Sequence, residues 1–435
     1  MKLEVSIGEA IDKLSILELK MKKINDLKKH LEIQKEIDAL VEVNQYKKWC
    51  PLFYKMLMYI NEQIWDMTDI IKSMEVIDLE FARISNQIFE FNQKRFRIKS
   101  FFNTLVNSSI KEQKSYALSH CKIIIPDETT LYNKLAEINY LTIEYDKISF
   151  DCTFISIIKQ IFKTPNIDYT DTNLLSIPNT INLTDFEISA DIKYIFEFEP
   201  IKYIIGGMFG DFIQSLSVIN ETFYNTGRKG LLYISLNYGG DPFRNGLQNT
   251  YNDTYPVIIK QIYIMDYKIY NNESFDINLN DWRKCNKLFL QNWHYIYKQT
   301  YHVEWGKHKW ITVNNDEKWN NTIFINTTHY RGVIKLNFQS LYSKYNDKLI
   351  FISADINQYH SFTKISGLHI PYIQINSFTE LCTMISSCKL FIGSLSAPLA
   401  VAHAVHSDRI IGLTTDIDSV HNQQFEEIWD NVWYE

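Results

Sequence analysis

Residues 201–235 read IKYIIGGMFGDFIQSLSVINETFYNTGRKGLLYIS. The apolar run 203–205 enters a glycine cluster, Gly206, Gly207 and Gly210, and Asp211 directly follows the last glycine. The spacing predicts a strand over 203–205, a helix over 211–225, a turn at Thr226 and Gly227, and a strand over 231–235. A continuous apolar strand that passes through glycines into a helix is the unit of a parallel sheet covered on both faces. In such sheets ligands bind at the carboxyl ends of the strands. A glycine turn lets the backbone approach a ligand and opens onto a helix N-terminus. Asp211 has two readings. It is either a helix cap, stabilising by about 1 kcal/mol, or a general base at the mouth of a cleft. The spacing is G-G-x-x-G-D rather than G-x-G-x-x-G, and no acidic residue marks the next strand end, so a dinucleotide site is not indicated.

The same alternation continues down the chain. Residues 252–270 read as a helix and then an extended segment. Strands are predicted over 322–326, 349–353, 389–392 and 409–413, with helices over 335–345, 377–387 and 397–405. The series occurs twice, near 200–270 and near 320–430, as two doubly wound domains facing each other would produce. The second half carries its own strand-end motif, FIGSLSAPLAVAHAV at 391–405. Gly393, Ser394, Leu395 and Ser396 precede a helix with Pro398 in its first turn, where proline is well suited. Free N–H groups and two hydroxyls there make an anion cradle suited to a diphosphate; the plainer reading is a serine-capped helix. Thr327, Thr328, His329 and Arg331 follow the strand over 322–326. The forked guanidinium of Arg331 is suited to a phosphate, or it is an ordinary surface arginine. WGKHKW at 305–310 is a stacking or hinge element or plain packing, and Asp241 and Arg244 lie in a loop that either meets an acceptor or simply turns.

The 435 residues suit two or three domains. With 46% hydrophobic and 22% charged residues the chain is globular. A formal charge of -6 does not favour nucleic-acid binding. The six cysteines are scattered with no C-x-x-C pair, so reduced thiols in a cytoplasmic setting fit best. No apolar run reaches transmembrane length, and no strand end carries a D-x-D-like metal pair. Residues 1–118 read as a small antiparallel helical domain. Ser6 and Glu9 form a capping box, Ile11, Leu14, Leu17, Met21 and Ile24 share one face, and further helices run from 51 to 74 and from 78 onward. In the connecting α/β region 119–195, residues 123–125 read as a strand, 128–140 as a helix and 142–150 as a strand or hairpin arm.

GGMFGDFIQSLSVI and CKLFIGSLSAPLAVAHAV give residues 200–430 a resemblance to heptosyltransferase-type enzymes, glycosyltransferase family nine. The resemblance implies a GT-B fold: two Rossmann-like doubly wound α/β domains, here an acceptor domain over 196–310 and a nucleotide-sugar domain over 311–435. It implies Asp211 as the catalytic base behind the glycine turn of Gly206, Gly207 and Gly210, and a donor site at Thr327, Thr328, Arg331, Gly393, Ser394, Leu395 and Ser396. The second motif departs from the family, which carries Asp, Gly and His where Leu395, Ala397 and Ala400 stand here. VSIGEAIDKLSILELKMKKI and FARISNQIFEFNQKRFRIKSFFN resemble a small helical domain of unknown function found in bacterial glycan-related proteins.

The expected function is therefore a glycosyltransferase of inverting, metal-independent type. It would move a sugar from a nucleotide-diphosphate donor to a glycan or lipid-linked hydroxyl, with no cofactor beyond its substrates. The alternatives are a non-catalytic nucleotide-sugar or glycan-binding protein derived from such a transferase, and an adaptor in which the helical domain forms a homo-oligomer.

Overall fold

The computed structural model describes residues 4–111, 118–169, 179–236, 238, 243–285, 293–328, 338–394 and 396–411. The chain divides into two compact units, Met1–Glu199 and Pro200–Glu435.

In the first unit, Ser6 accepts a hydrogen bond from the Glu9 amide at 3.2 Å and opens helix α1 (Ile7–Lys23). The reciprocal half of the expected capping box is not made, because the Glu9 carboxylate pairs with Lys99 instead. Four more helices follow: α2 (Leu27–Asp38), α3 (Asn44–Trp49), α4 (Pro51–Ser73) and α5 (Leu79–Leu105). Asp26 and Asp78 cap α2 and α5 through the amides of Lys28 and Phe81. Of the expected apolar face of α1, Ile11, Leu14 and Leu17 are buried where the helix meets α4 and α5, whereas Met21 is half-buried and Ile24 lies just past the helix end. Ile11, Leu14, Met56, Leu57, Ile60, Ile98 and Phe102 share one core, each side chain contributing about 1.5–3 kcal/mol.

That core does not stop at the helices. It takes in Ala136 and Ile143 of α7 (Leu135–Glu144) and Phe196 of α9 (Ala190–Phe196). Between these helices lie β1 (His120–Ile124), α6 (Glu128–Asn133), β2 (Lys147–Asp151), α8 (Ile155–Ile161), β3 (Ile167–Asp168) and β4 (Asn179–Asn182). The strands form a four-stranded, wholly parallel sheet in the order β3-β2-β1-β4. A hairpin arm over 142–150 is therefore corrected: the helix continues to Glu144, and β2 pairs with β1 in parallel. Charge ties the layers together. Arg97 of α5 pairs with Asp146 at 2.7 Å, and Lys193 of α9 pairs with the buried Glu137 of α7 at 2.8 Å.

The second unit holds two parallel sheets. The first contains β5 (Ile201–Ile205), β6 (Gly230–Ile234), β7 (Ile264–Ile269) and β8 (Ile277–Asn278), in the order β7-β6-β5-β8. Helices α10 (Phe209–Thr226) and α11 (Leu247–Ile258) connect its strands, and α12 (Trp293–Tyr301) follows it. The predicted turn after α10 is present, with Gly227 left-handed at φ 71°. The second sheet contains β9 (Ile323–Asn326), β10 (Leu349–Ser353), β11 (Tyr372–Gln374), β12 (Leu390–Gly393) and β13 (Arg409–Ile411), in the order β11-β10-β9-β12-β13. Helices α13 (Phe338–Tyr345), α14 (Ile356–Ser366), α15 (Phe378–Ser387) and α16 (Ala397–Ala404) belong to it. Tyr203, Ile204, Ile205, Ile323, Phe324 and Ile325 are fully buried, which is why these strands read as unbroken apolar runs.

Residues 305–310 are packing. They form a strap along one face of α10: Trp305 Nε1 donates to the Gln214 carbonyl at 3.0 Å, the Gly306 amide to Ser217 Oγ at 2.9 Å, and the His308 amide to Glu221 at 2.7 Å. The strap ends on α16, where the amides of Trp310 and Ile311 both donate to the Ala404 carbonyl at 3.0 Å.

Two stability predictions follow from these contacts. A Cβ on Gly8 would lie 2.4 Å from the backbone oxygen of Lys99. Gly8→Ala is expected to cost about 1–3 kcal/mol through this overlap, read by urea unfolding. His403 of α16 is 2% exposed, and burial, with Arg409 and His406 nearby, pushes its pKa well below 6.5. Below about pH 6.5 the unfolded chain therefore binds a proton that the folded chain refuses. Stability present above that pH is lost as pH falls toward the folded value. His403→Leu should flatten the fall in unfolding free energy between pH 7 and 5 by up to one proton.

Candidate active site

In both sheets of the second unit the first strand lies inside the sheet, with later strands added on either side. Each therefore has a topological switch point, between β5 and β8 in one and between β9 and β12 in the other. Ligand crevices form outside the carboxyl ends of strands at such points.

At the first switch point, β5 ends in Gly206 and Gly207. Gly207 has φ 112°, a left-handed value that disfavours any side chain. Met208 is the extended residue before α10, and no side chain caps the helix. Asp211 is the third residue of α10, and its partner comes from across the switch point. After β8 the chain makes a single 3-10 turn, Asp281–Lys284, and Arg283 Nη2 donates to Asp211 Oδ2. The side chains are 25% (Asp211) and 29% (Arg283) exposed, so the pair is partly screened rather than sealed. The Arg283 guanidinium lies 4.3 Å above the Trp282 ring. Trp282 meets Trp293 edge-on at 4.8 Å and stacks on Tyr297 at 6.4 Å. Tyr297 shares a 3.0 Å hydrogen bond with Ser215, one turn along α10 from Asp211. Burial pushes the Tyr297 and Tyr301 hydroxyls upward, so both are neutral at ordinary pH.

At the second switch point the polar groups chiefly serve each other. The Thr328 amide donates to Ser394 Oγ at 3.1 Å, and the two hydroxyls lie 3.2 Å apart. The Ser394 amide donates to the Asn326 carbonyl at 3.2 Å. Asn326 Nδ2 donates to the Ile352 carbonyl at 2.8 Å, which links the ends of β9 and β10. Thr327, Thr328 and Ser394 are 7%, 3% and 0% exposed. Gly393 is closely enclosed, since a Cβ there would lie 2.5 Å from the Phe391 ring. Ser396 precedes α16, but its hydroxyl donates to the Ser394 carbonyl at 3.1 Å and approaches Asn326 Oδ1 at 3.4 Å. It does not cap the helix, so the serine-capped reading is not what the structure contains. Pro398 occupies the first turn as expected.

The two switch points meet. A Cβ on Gly210 would lie 3.7 Å from the Cα and N of Ala397 and 3.9 Å from the Ser396 carbonyl carbon. The N-terminal turns of α10 and α16 thus approach each other with room for a methyl group between Gly210 and the Ala397 backbone, and neither carries a side-chain cap. Gly210 meets Ser396 and Ala397 at this contact, with Asp211 the next residue of α10 and Gly206 and Gly207 in the turn before it. Thr327, Thr328, Gly393 and Ser394 gather beside it around Asn326. Arg331, Leu395, His329 and Asp241 lie outside the described residues. The sequence reading missed Arg283 and Asn326. Arg283 sits in a segment with no periodicity, after a strand of only two residues. The one available signal was the Asp281-Trp282-Arg283 run, an arginine beside an aromatic.

Among the described residues no group of three His, Cys, Asp or Glu side chains is placed to hold a metal ion, and no helix is long and apolar enough to cross a membrane.

Residues 1–137 match a protein family described as DUF6165, a family of unknown function. No curated protein matches the chain. Among solved structures, the chain is similar to a glycosyl transferase family 9 protein from Veillonella parvula, with 8% identity, a TM-score of 0.33, and coverage of 49% of this chain and 81% of that one. It is similar to the E. coli heptosyltransferase WaaC with ADP, with 7% identity, a TM-score of 0.28, and coverage of 48% and 86%. It is also similar to the dodecameric iron-containing heptosyltransferase TibC of enterotoxigenic E. coli in complex with ADP-D-beta-D-heptose. There the identity is 10%, the TM-score 0.32, and the chain spans 59% of that protein's length.

Proposed function

We propose that this protein is a glycosyltransferase that moves a sugar from a nucleotide-diphosphate donor to a hydroxyl of a glycan or lipid-linked acceptor. One observation carries the reading: two uncapped helix N-termini, each at the switch point of a parallel sheet, approach each other at Gly210 and Ala397. Each N-terminus presents free N–H groups and about half a positive charge. Two of them side by side repel unless an anion lies near both, and a diphosphate answers that need. Asp211, in the first turn of α10, supplies the carboxylate that such a transfer requires. The resemblance of GGMFGDFIQSLSVI to the family-nine signature supports the same assignment.

In this reading residues 196–310 receive the acceptor and residues 311–435 hold the donor, with 1–118 a helical domain and 119–195 a connecting region. The acceptor hydroxyl attacks the anomeric carbon on the face opposite the diphosphate. The new C–O bond forms as the anomeric carbon–oxygen bond to the diphosphate breaks, and that electron pair leaves with the diphosphate. Asp211 takes the hydroxyl proton. The charge growing on the diphosphate is met by the N–H groups of α16, with Ser396 and Arg331 as further donors, rather than by a metal ion. Thr327, Thr328, Gly393 and Ser394 shape the floor of that donor site.

A second reading is a nucleotide-sugar-binding protein without turnover. It is motivated by the altered second motif, in which Leu395, Ala397 and Ala400 stand where family nine carries Asp, Gly and His.

Thermal unfolding with ADP, UDP, GDP and CDP tests the donor site. One nucleotide at 100 times its Kd is expected to stabilise by about 2.7 kcal/mol. Ala397→Phe, which wedges the two helix ends apart, should abolish that stabilisation while the protein remains folded by circular dichroism. No response to any nucleotide would sink both readings. With a donor found by a hydrolysis panel, Asp211→Asn is expected to lower turnover on the order of 10²–10⁴-fold and leave nucleotide stabilisation intact. No turnover by the unaltered protein with any donor–acceptor pair, together with retained nucleotide binding, would favour the second reading.

A further inference from the structure

Resting on the transfer reading above, we infer that Arg283 is a positioning residue: it fixes the Asp211 carboxylate and tunes its proton affinity from across the β5–β8 switch point. Three observations meet at this side chain. Its Nη2 holds Asp211 Oδ2. Its guanidinium plane rests 4.3 Å above Trp282, itself 4% exposed and held by the Tyr301 hydroxyl through a 3.1 Å bond to its amide. Its Nε is buried with no hydrogen-bond partner among the described residues.

The last point separates a working arginine from a closed structural bridge. Leaving a buried donor unmet is costly, and a purely structural ion pair would satisfy it. Other atoms of this segment share the feature: Trp282 Nε1 and Asn280 Oδ1 are also buried without hydrogen-bond partners among the described residues. One donor on Arg283, one on Trp282 and one acceptor on Asn280 suit a ligand whose groups both give and accept hydrogen bonds. Hydroxyls do both, so the ligand class is a polyhydroxylated acceptor. In the complex an acceptor oxygen completes Arg283 Nε while the neighbouring hydroxyl gives its proton to Asp211.

The consequence is electrostatic as well as geometric. A carboxylate bonded to a guanidinium is favoured in its charged form, so Asp211 is kept ready to accept a proton. Tyr297 of α12 feels the charges of both Asp211 and Arg283, and Tyr301 of the same helix those of Asp281 and Arg283. Both tyrosines are neutral at ordinary pH. Arg283 is the cation that the structure shows bonded to the Asp211 carboxylate.

The test uses the full chain and three variants, Arg283→Gln, Arg283→Lys and Asp211→Asn, each first checked for an unchanged melting curve. The first arm needs no substrate. In protein labelled with carboxyl-13C aspartate, the resonance absent from Asp211→Asn identifies Asp211. Its titration midpoint should move to higher pH in Arg283→Gln and return toward the original value in Arg283→Lys. An unchanged midpoint in Arg283→Gln overturns the inference, even where sugar transfer is confirmed. The second arm uses the donor from the hydrolysis panel. Arg283→Gln should lower kcat on the order of 10–100-fold, as misplacement of a catalytic group does, and carry the acid limb of the rate profile to higher pH. Arg283→Lys should restore the acid limb yet keep a raised acceptor KM, because lysine lacks the Nε donor. Full activity of Arg283→Gln with an unmoved acid limb also overturns it. Full turnover by Asp211→Asn instead removes Asp211 from the role of base and overturns the inference, whereas no turnover by the unaltered protein overturns the transfer reading, which the titration arm does not share.

Discussion

The contact between Gly210 and Ala397 is the constraint on which the site depends. The facing residues are the small Gly210 and Ala397, and a Cβ on Gly210 would lie 3.7 Å from the Ala397 backbone. The approach places the carboxyl ends of β5 and β12 at one location and sets two positive helix ends side by side. The strap over 305–311 supports the arrangement from outside, bonded along α10 and then to the last turn of α16. Its tryptophans fill the space between these helices, with Trp310 fully buried and its Nε1 bonded to the Ile213 carbonyl at 2.8 Å.

The two sheets use their switch points differently. In the β9–β12 sheet the hydroxyls and amides of Thr328, Ser394 and Asn326 are consumed in binding strand ends to one another. The first turn of α16 beside them is left without a side-chain cap. In the β5–β8 sheet, Asp211 and Arg283 reach across the gap, and buried polar atoms of residues 280–283 have no hydrogen-bond partner among the described residues. One sheet thus presents backbone dipoles and the other presents side-chain charge. That division matches the separate needs of a leaving anion and an incoming hydroxyl.

Much of the second unit was legible because its strands are buried on both faces and its helices are punctuated. The strand over 349–353 was readable from LIFIS, and the α10 terminus from Gly227. The first unit was less legible. The parallel sheet within 119–195 escaped because β3 and β4 are short and largely polar, and strands of two to four residues carry almost no period. The helix running to Glu144 was cut short because Leu141, Thr142 and Ile143 fit either period. Arg283 had no local signature beyond the tryptophan before it, since its role comes from a partner 72 residues away.

The sequence by itself determined the alternation of buried parallel strands and helices, the glycine turn after β5, and the placement of Asp211 in the first turn of a helix. These follow from local rules: apolar period, the freedom of glycine and the handover from strand to helix. Only the tertiary structure decided which strand ends meet, that Asp211 is paired rather than capping, and that the amides of Thr328 and Ser394 are already spent. Those outcomes depend on strand order and on contacts between residues far apart in the chain, and no local pattern encodes them.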